Sequence, residues 1–407
     1  MKFQIDAISI LIIFLLLSSC TRNKINIESC SIKHPYKFSE EIVAEMERDT
    51  TIWKYEPAAS TFSRIGEHKQ SLVNWEKGRD ALRKSYGFKD FDNISTDSVI
   101  QNYEQTNAIE YILSQAKDFE VVMINEAHHN PRHRAFTAKL LPRLREQGFT
   151  KIGFEAVMDA VSDVKDYPSF GLGFYTAEPQ FGELLRTAMQ LDFDLFGYDD
   201  NGEREGADRE KYQAKRIFEQ IKDNGKDKIV IHCGFGHLWE DANNKSMGYF
   251  LKETYGIDPL TISQTRYIEQ YTDRYEQPLY KALDIKESTV LIDKKGTIFN
   301  KGNDNSPEVD VHVFHPRTKY INGKPNWLEY KGKKITEIAI PEMDINCPCL
   351  VLAYPMEETI TRSIPIDVSE INTISSPVFL SLNEDKPHKI VVQNKEGKGK
   401  CFDYNKE

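Results

Sequence analysis

The sequence predicts an α/β protein, a mainly parallel sheet flanked by helices, with an N-terminal helical segment and a C-terminal β-rich, sandwich-like domain. Three observations carry that expectation. Between residues 119 and 262, short apolar runs alternate with stretches of helical periodicity, and strand–helix–strand alternation implies a parallel sheet. Before them, apolar residues recur at helical spacing. After residue 289, short alternating runs are separated by turn residues.

Residues 1–19 place Lys2 ahead of the apolar run Ile8-Ser9-Ile10-Leu11-Ile12-Ile13-Phe14-Leu15-Leu16-Leu17, the pattern of an export signal rather than a membrane span. Its end, Leu17-Ser18-Ser19-Cys20, resembles a bacterial lipobox. That resemblance implies acylation of Cys20 as the mature amino terminus, and hence a protein of the bacterial cell envelope, lipid-anchored on a periplasmic or cell-surface side.

Residues 20–38 are polar and aperiodic and read as a tether. A helical cap segment is expected over 39–118. Ile42, Val43 and Met46 share one face of its first helix, and Leu72, Trp75, Leu82 and Tyr86 one face of its second. A third helix, about 98–117, aligns Ile100, Tyr103, Ile109, Ile112 and Leu113.

The α/β domain is expected over 119–288. Strands are placed at 121–124, 151–155, 193–198, 228–233 and 260–262, with helices at 134–147, 181–190, 209–222 and 246–255. The β-rich domain then spans 289–407, with strands at 290–292, 309–314, 335–340, 349–353 and 389–392 and a turn at Asn322-Gly323. Asp310 to His315 alternates as a strand does, and His312 and His315 are expected to be solvated rather than metal-bound.

At 407 residues, with 29% charged and 40% hydrophobic residues, the chain is long enough for two domains. A net charge of −10 argues against a nucleic-acid partner, which requires a basic face. Export permits disulfides. Cys347 and Cys349 are too close in sequence for an easy mutual bridge, and Cys30, Cys233 and Cys401 have no evident partner.

The chemistry gathers at strand ends. The first strand ends in Glu126, His128 and His129, the second in Glu155, the third in Tyr198 and Asp199, and the fourth in Gly234-Phe235-Gly236-His237. All parallel strand ends point to one edge, where open sheets bind ligands. Adjacent strands would therefore collect imidazoles and carboxylates in one crevice. Such a cluster can hold a divalent metal or position water for a histidine base. No GxSxG elbow surrounds any serine, so water is the expected nucleophile.

The Gly234-Phe235-Gly236-His237 motif, with Asn125-Glu126-Ala127-His128 and a strand-end Glu155, resembles the superfamily of erythromycin esterase-like, ChaN-like haem-binding and TIKI-type proteins. Asn125 stands where that pattern has Gly. Glu126-Ala127-His128 with Asn130-Pro131 follows the ChaN-like register, whereas His129 with Arg132 follows the esterase register. Arg209-Glu210-Lys211-Tyr212-Gln213-Ala214 and Met247-Gly248 with Leu251 extend the esterase likeness, which covers about 119–265.

This resemblance implies a lipid-anchored hydrolase acting on an unknown ester-like small molecule. His129 or His128 would be the base, with Glu126 and Glu155 orienting it. His237 would complete the site, and Arg132 or Arg209 would stabilise an oxyanion. A possible metal set is Glu126, His128, Glu155 and His237, while Tyr198 and Asp199 are candidate cofactor contacts. The alternative is a haem-binding or other ligand-binding lipoprotein without turnover. His133 reads as a capping residue and His232 as a satisfied core residue. The aromatic, glycine-rich loop 167–175 reads equally as a wall over a ligand or a packed loop.

Overall fold

The computed structural model describes residues 25–87, 91, 94–158, 166–200, 202–221, 227–302 and 309–405. The expected export signal and Cys20 lie outside them. Order begins earlier than residue 39. Strand β1 (Glu28–Ser29) pairs antiparallel with Cys401 and Lys400 near the end of the chain, and Ile32, Tyr36 and Phe38 are buried. The tether reading therefore fails from residue 28 onward, because a partner strand almost a whole chain away leaves no local pattern.

Three helices follow: α1 (Ser39–Arg48), α2 (Tyr55–Arg64) and α3 (His68–Tyr86). Ile42, Ala58, Phe62 and Ile65 of the first two, with the residue after them, pack on the C-terminal sheet rather than over the parallel one. Helix α3 reaches the parallel sheet's edge, where Ser71 Oγ lies 2.7 Å from the His129 carbonyl. The third expected helix is broken into α4 (Thr96–Asn102), strand β2 (Tyr103–Asn107) and α5 (Ala108–Gln115). Glu104, Gln105, Thr106 and Asn107 carry no apolar side chain to hold a helix on the core, and Asn107 caps the restarted helix by accepting from Glu110 N.

The α/β body continues with β3 (Val121–Glu126), α6 (Arg132–Glu146), β4 (Phe149–Phe154), α7 (Pro179–Gln190), β5 (Asp194–Gly197), α8 (Gly206–Phe218) and β6 (Lys228–Gly234). It closes with α9 (Met247–Tyr255), β7 (Leu260–Ser263), α10 (Pro278–Ala282), β8 (Thr289–Asp293) and β9 (Val311–His312). β8 pairs antiparallel with β2. The six-stranded sheet has the order β5-β4-β6-β3-β7-β9, and every pairing in it is parallel.

β9 corrects the expected domain boundary. Ile262 pairs with Val311 and Ser263 with His312, so the parallel body runs past residue 288. His312 and His315 are buried, not solvated: His312 packs on Tyr267, and His315 bonds Ser288 Oγ and Gln264 Oε1. The apolar residues Val309, Val311, Val313 and Phe314 mark a strand covered on both faces.

Strand side chains alternate between two cores. Val122, Ile124, Ile152, Phe154 and Val230 face α5, α6 and α7; Val121, Met123, Ile229, Ile231 and Cys233 face α8 and α9. The chain thus leaves β3 toward one face and the adjacent β6 toward the other. Connections diverging from neighbouring strands open a crevice at their carboxyl ends.

The C-terminal strands are β10 (Tyr320–Ile321), β11 (Lys324–Pro325), β12 (Lys333–Ile338), β13 (Cys349–Pro355), β14 (Asp367–Ile371), β15 (Val378–Asn383), β16 (His388–Asn394) and β17 (Gly399–Tyr404). Asn322 and Gly323, both at positive φ, turn β10 into β11. A five-stranded sheet, β1-β17-β16-β13-β14, faces the β12-β15 pair. Val351, Ala353, Ile390 and Val392 meet Ile338, Val378, Leu380 and Leu382 between them. The alternate residues Leu350, Leu352 and Val391 receive α1 and α2.

Candidate active site

The strands that carry the candidate residues are neighbours. Glu126 ends β3 opposite Gly234 of β6, and Glu155 follows β4, with its backbone N–H donating to the His232 carbonyl at 3.2 Å. Asn125 explains itself here. Its side chain accepts from Gln264 N at 2.7 Å and donates to the Phe235 carbonyl at 2.6 Å and to Thr265 Oγ1 at 3.0 Å. It ties the ends of three strands together.

Glu126 is almost fully buried, and both its oxygens are engaged. Arg134 donates Nε to Oε2 at 2.6 Å and a terminal nitrogen to Oε1 at 2.7 Å. His128 Nδ1 lies 2.9 Å from Oε1, and His232 Nε2 lies 2.9 Å from Oε2. Burial favours the neutral acid, but the Arg134 charge and the two histidine hydrogen bonds outweigh it and hold Glu126 well below the usual carboxylate range. Arg134 itself is fully buried and reaches Glu178 Oε2 at 2.9 Å, with its charge secured by the two carboxylates.

An ionised carboxylate only accepts, so His128 donates from Nδ1 and leaves Nε2 to face the crevice. Among the described residues that nitrogen has no hydrogen-bond partner. The ring is sandwiched by side chains, with Tyr175 stacked at 4.1 Å and Phe235 edge-on at 5.2 Å. Gly234 forms the floor. A Cβ there would sit 2.6 Å from His128 Cε1 and 3.0 Å from Glu155 Oε2, so the position requires glycine for close approach. The same measurement places His128 and Glu155 around one point.

Glu155 accepts from Gly234 N at 2.6 Å, from Arg209 at 2.8 Å and from His237 Nε2 at 3.0 Å. His237 Nδ1 lies 2.8 Å from Glu210 Oε2. Burial opposes charge on His237, yet Glu155 and Glu210 outweigh it and push the imidazolium up to about 10. His237 is therefore a cation at neutral pH. Burial likewise opposes charge on Glu155, and His237, His128 and Arg209 hold its carboxyl below the usual range. Asp199 accepts from Arg209 at 2.9 and 2.7 Å and from Gln213, and so positions the guanidinium.

Glu126, His128, Glu155, His237, Arg209 and Asp199 thus come together. Others do not. His129 is buried under Trp75, its ring stacked at 4.0 Å, and burial holds it neutral; His128 takes the place for which the two competed. Arg132 turns away to the Pro316 carbonyl and to Glu269 at 3.6 Å, so it is not placed for an oxyanion. Tyr198 is buried, with its hydroxyl donating to the His232 carbonyl at 3.0 Å, and does not reach the crevice as a cofactor contact. The expected metal set does not fit either. The donor atoms of Glu126, Glu155 and His237 are already committed, and among the described residues no three His, Cys, Asp or Glu side chains gather as ligands.

Sequence reasoning missed Arg134, Glu178, Glu210 and Tyr175, and gave His232 only a core role. Glu178 had a local signal: it precedes Pro179 and caps α7, accepting from Phe181 N at 2.9 Å. Tyr175 sat in the aromatic loop, and its stacking on His128 makes that loop's end a wall of the site. Arg134 gave no signal, since nothing local shows which arginine of a helical turn is buried.

No protein-family model matches the chain, and no curated protein matches it. Among solved structures, the type III effector HopBA1 is 11% identical, with a TM-score of 0.35 over 53% of this chain and 97% of that one. The RRSP effector domain of a MARTX toxin from Vibrio vulnificus is 13% identical, with a TM-score of 0.26 over 61% of this chain and 66% of that one. A structure titled "Bacterial protein toxins" gives 14% and 0.29 over 55% and 57%. Likeness this slight transfers no role, and the site has to speak through its own geometry.

Proposed function

We propose that this chain is a hydrolase of the erythromycin esterase-like kind, cleaving an ester-like bond of a small molecule with a water activated by His128. The observation that carries the reading is the open Nε2 of His128, whose other nitrogen is tied to buried Glu126. Water is a weak nucleophile at neutral pH, and an imidazole with a fixed tautomer is a suitable acceptor for its proton. The attacking oxygen bonds to the substrate carbonyl carbon as its proton passes to Nε2 and the C=O π pair moves to the carbonyl oxygen. When that pair returns, the ester C–O bond breaks and the leaving alkoxide takes the proton from Nε2. The imidazolium between these two steps is stabilised by Glu126, which Arg134 and His232 hold in place and ionised.

The second half of the crevice supports the other requirement. Arg209, held on Glu155 and Asp199 through Nε and Nη2, keeps Nη1 as a donor beside the same floor for negative charge on a carbonyl oxygen. Both nitrogens of His237, by contrast, are taken by Glu155 and Glu210. In the same reading Cys20 carries the lipid, and the catalytic body stands off a bacterial envelope membrane. Activity on a panel of aryl and alkyl esters tests the site. Wild type should turn over at least one ester class, and His128→Ala and Glu126→Gln should lose that turnover while remaining folded. Equal activity in all three proteins would remove both residues from the mechanism.

A further inference from the structure

Cys347 and Cys349 were too close in sequence to suggest a bridge, yet their sulfurs lie 3.6 Å apart. The two thiols differ in surroundings. Cys349 is fully buried at the start of β13, with its thiol donating to the Asn346 carbonyl at 3.3 Å, whereas Cys347 is partly exposed. Between them Pro348 borders an open cavity of about 580 Å³, shared with Ser39, Glu67 and Glu370. Cys347 is thus the outer residue of the pair and Cys349 the inner one.

We propose that Cys347 and Cys349 form a reversible redox site that a low-molecular-weight disulfide oxidises to an intramolecular bridge. Cys347, as its thiolate, attacks one sulfur of the oxidant; that S–S bond breaks and one thiolate leaves. Cys349 then gives its proton to solvent and attacks the Cys347 sulfur, expelling the second thiolate. Two thiols have been oxidised and one disulfide reduced to two thiols. Closure brings the sulfurs from 3.6 Å to about 2.05 Å. Burial, then the contact with Cys347, pushes the Cys349 thiol up to about 12, which suits it to the second step rather than the first.

The ring closed is short, and chain-entropy stabilisation grows with the length of the loop that is closed. The bridge is therefore a mark of redox state rather than a staple. Of the remaining described cysteines, Cys233 is buried with its sulfur 3.7 Å from the Ile124 carbonyl, whereas Cys30 and Cys401 are a second thiol pair, hydrogen-bonded side chain to side chain across the β1–β17 ladder.

The test uses the full chain, reduced, desalted, incubated with oxidised glutathione, alkylated and digested. The peptide containing residues 347–349 should lose two hydrogens and take no alkyl label, while the reduced control takes two labels. Cys349→Ser should carry glutathione on Cys347, because the second step is blocked. Cys347→Ser should leave Cys349 unmodified. In Cys30→Ser, where the thiol pair across the β1–β17 ladder cannot bridge, the melting temperature should shift by no more than about 2 °C on oxidation. A wild-type peptide that keeps both labels would overturn the proposal, as would glutathione on Cys349 in Cys347→Ser, or Cys30–Cys401 as the sole bridge.

Discussion

Two sets of the same residue types face each other across the gap between β3 and β6. On one side stand Glu126, His128 and Arg134; on the other, Glu155, His237 and Arg209. In the first, the guanidinium is buried and grips the carboxylate with two nitrogens, so the histidine needs to supply only one. In the second, the guanidinium is a quarter exposed and shared with Asp199, and the histidine spans two carboxylates. The count of partners, not the kind of residue, leaves one imidazole with an open nitrogen and makes the other a fixed cation.

The largest expected effect comes from removing the arginine of each set. Arg134→Met leaves Glu126 and Glu178 buried without their shared cation, and breaking such a pair costs about 3–5 kcal/mol. Urea denaturation should show that loss, with Arg134→Lys between it and wild type. Arg209→Met removes a charge that is a quarter exposed and leaves His237 on Glu155, so it should cost clearly less than Arg134→Met. Equal losses at the two positions would dissolve the contrast between a buried and a screened set.

Next in size is the effect on turnover. His128→Ala should lower kcat for a hydrolysed ester by about 10²–10⁴-fold, the usual contribution of a positioned base, with the denaturation midpoint nearly unchanged. A conservative His128→Asn that retains full kcat would show that the free nitrogen accepts no proton in the reaction.

Both halves of this contrast were partly legible in the sequence, the second more fully than the first, since Arg209 was a candidate and Arg134 was not. An apolar strand running into Glu126 and His128, with Glu155 and His237 after later strands, placed four residues at one edge because parallel strand ends converge. What completes each half comes from distant side chains. Arg134 and Glu210 lie in helical turns whose charged residues all look solvated, and only the packed helix shows which one turns inward. His129 and His128 could not be separated, since adjacent residues at a strand end diverge in a direction that Trp75 of α3 decides. β1 was missed, and β9, expected as a strand at 309–314, was given to the wrong sheet for a related reason: so short a strand takes its place from a distant partner that leaves no local pattern.

A smaller effect probes how His237 is held. Its raised value means that the folded state keeps the proton longer than the unfolded chain does. The stability it contributes is fully present below about 6.5 and is lost as pH rises through about 10. Glu210→Gln removes one of the two carboxylates, so the NMR titration of His237 should move down and the alkaline loss of activity should begin at lower pH. Unmoved titration would mean that Glu155 alone fixes the charge.

The smallest effect concerns histidines of a third kind, buried and neutral. His133 accepts from Ala127 N through Nδ1 at 2.9 Å, a bond that its protonation would destroy, and burial holds it down to about 3. Here the unfolded chain takes the proton first, so stability falls as pH drops below about 6.5 and goes on falling until about 3. His68 and His312, also held at about 3, and His388, at about 4, share that window, so one replacement shifts acid unfolding only in part. In His133→Asn the side-chain oxygen can replace Nδ1 as acceptor, and no group titrates. The acid midpoint followed by circular dichroism should fall by a fraction of a pH unit, with stability at pH 7 little changed. A midpoint that rises would place the acid sensitivity in the loss of the Glu126 and Glu155 pairs, which is also felt as pH falls, and would return the weight to the two charged sets across the crevice.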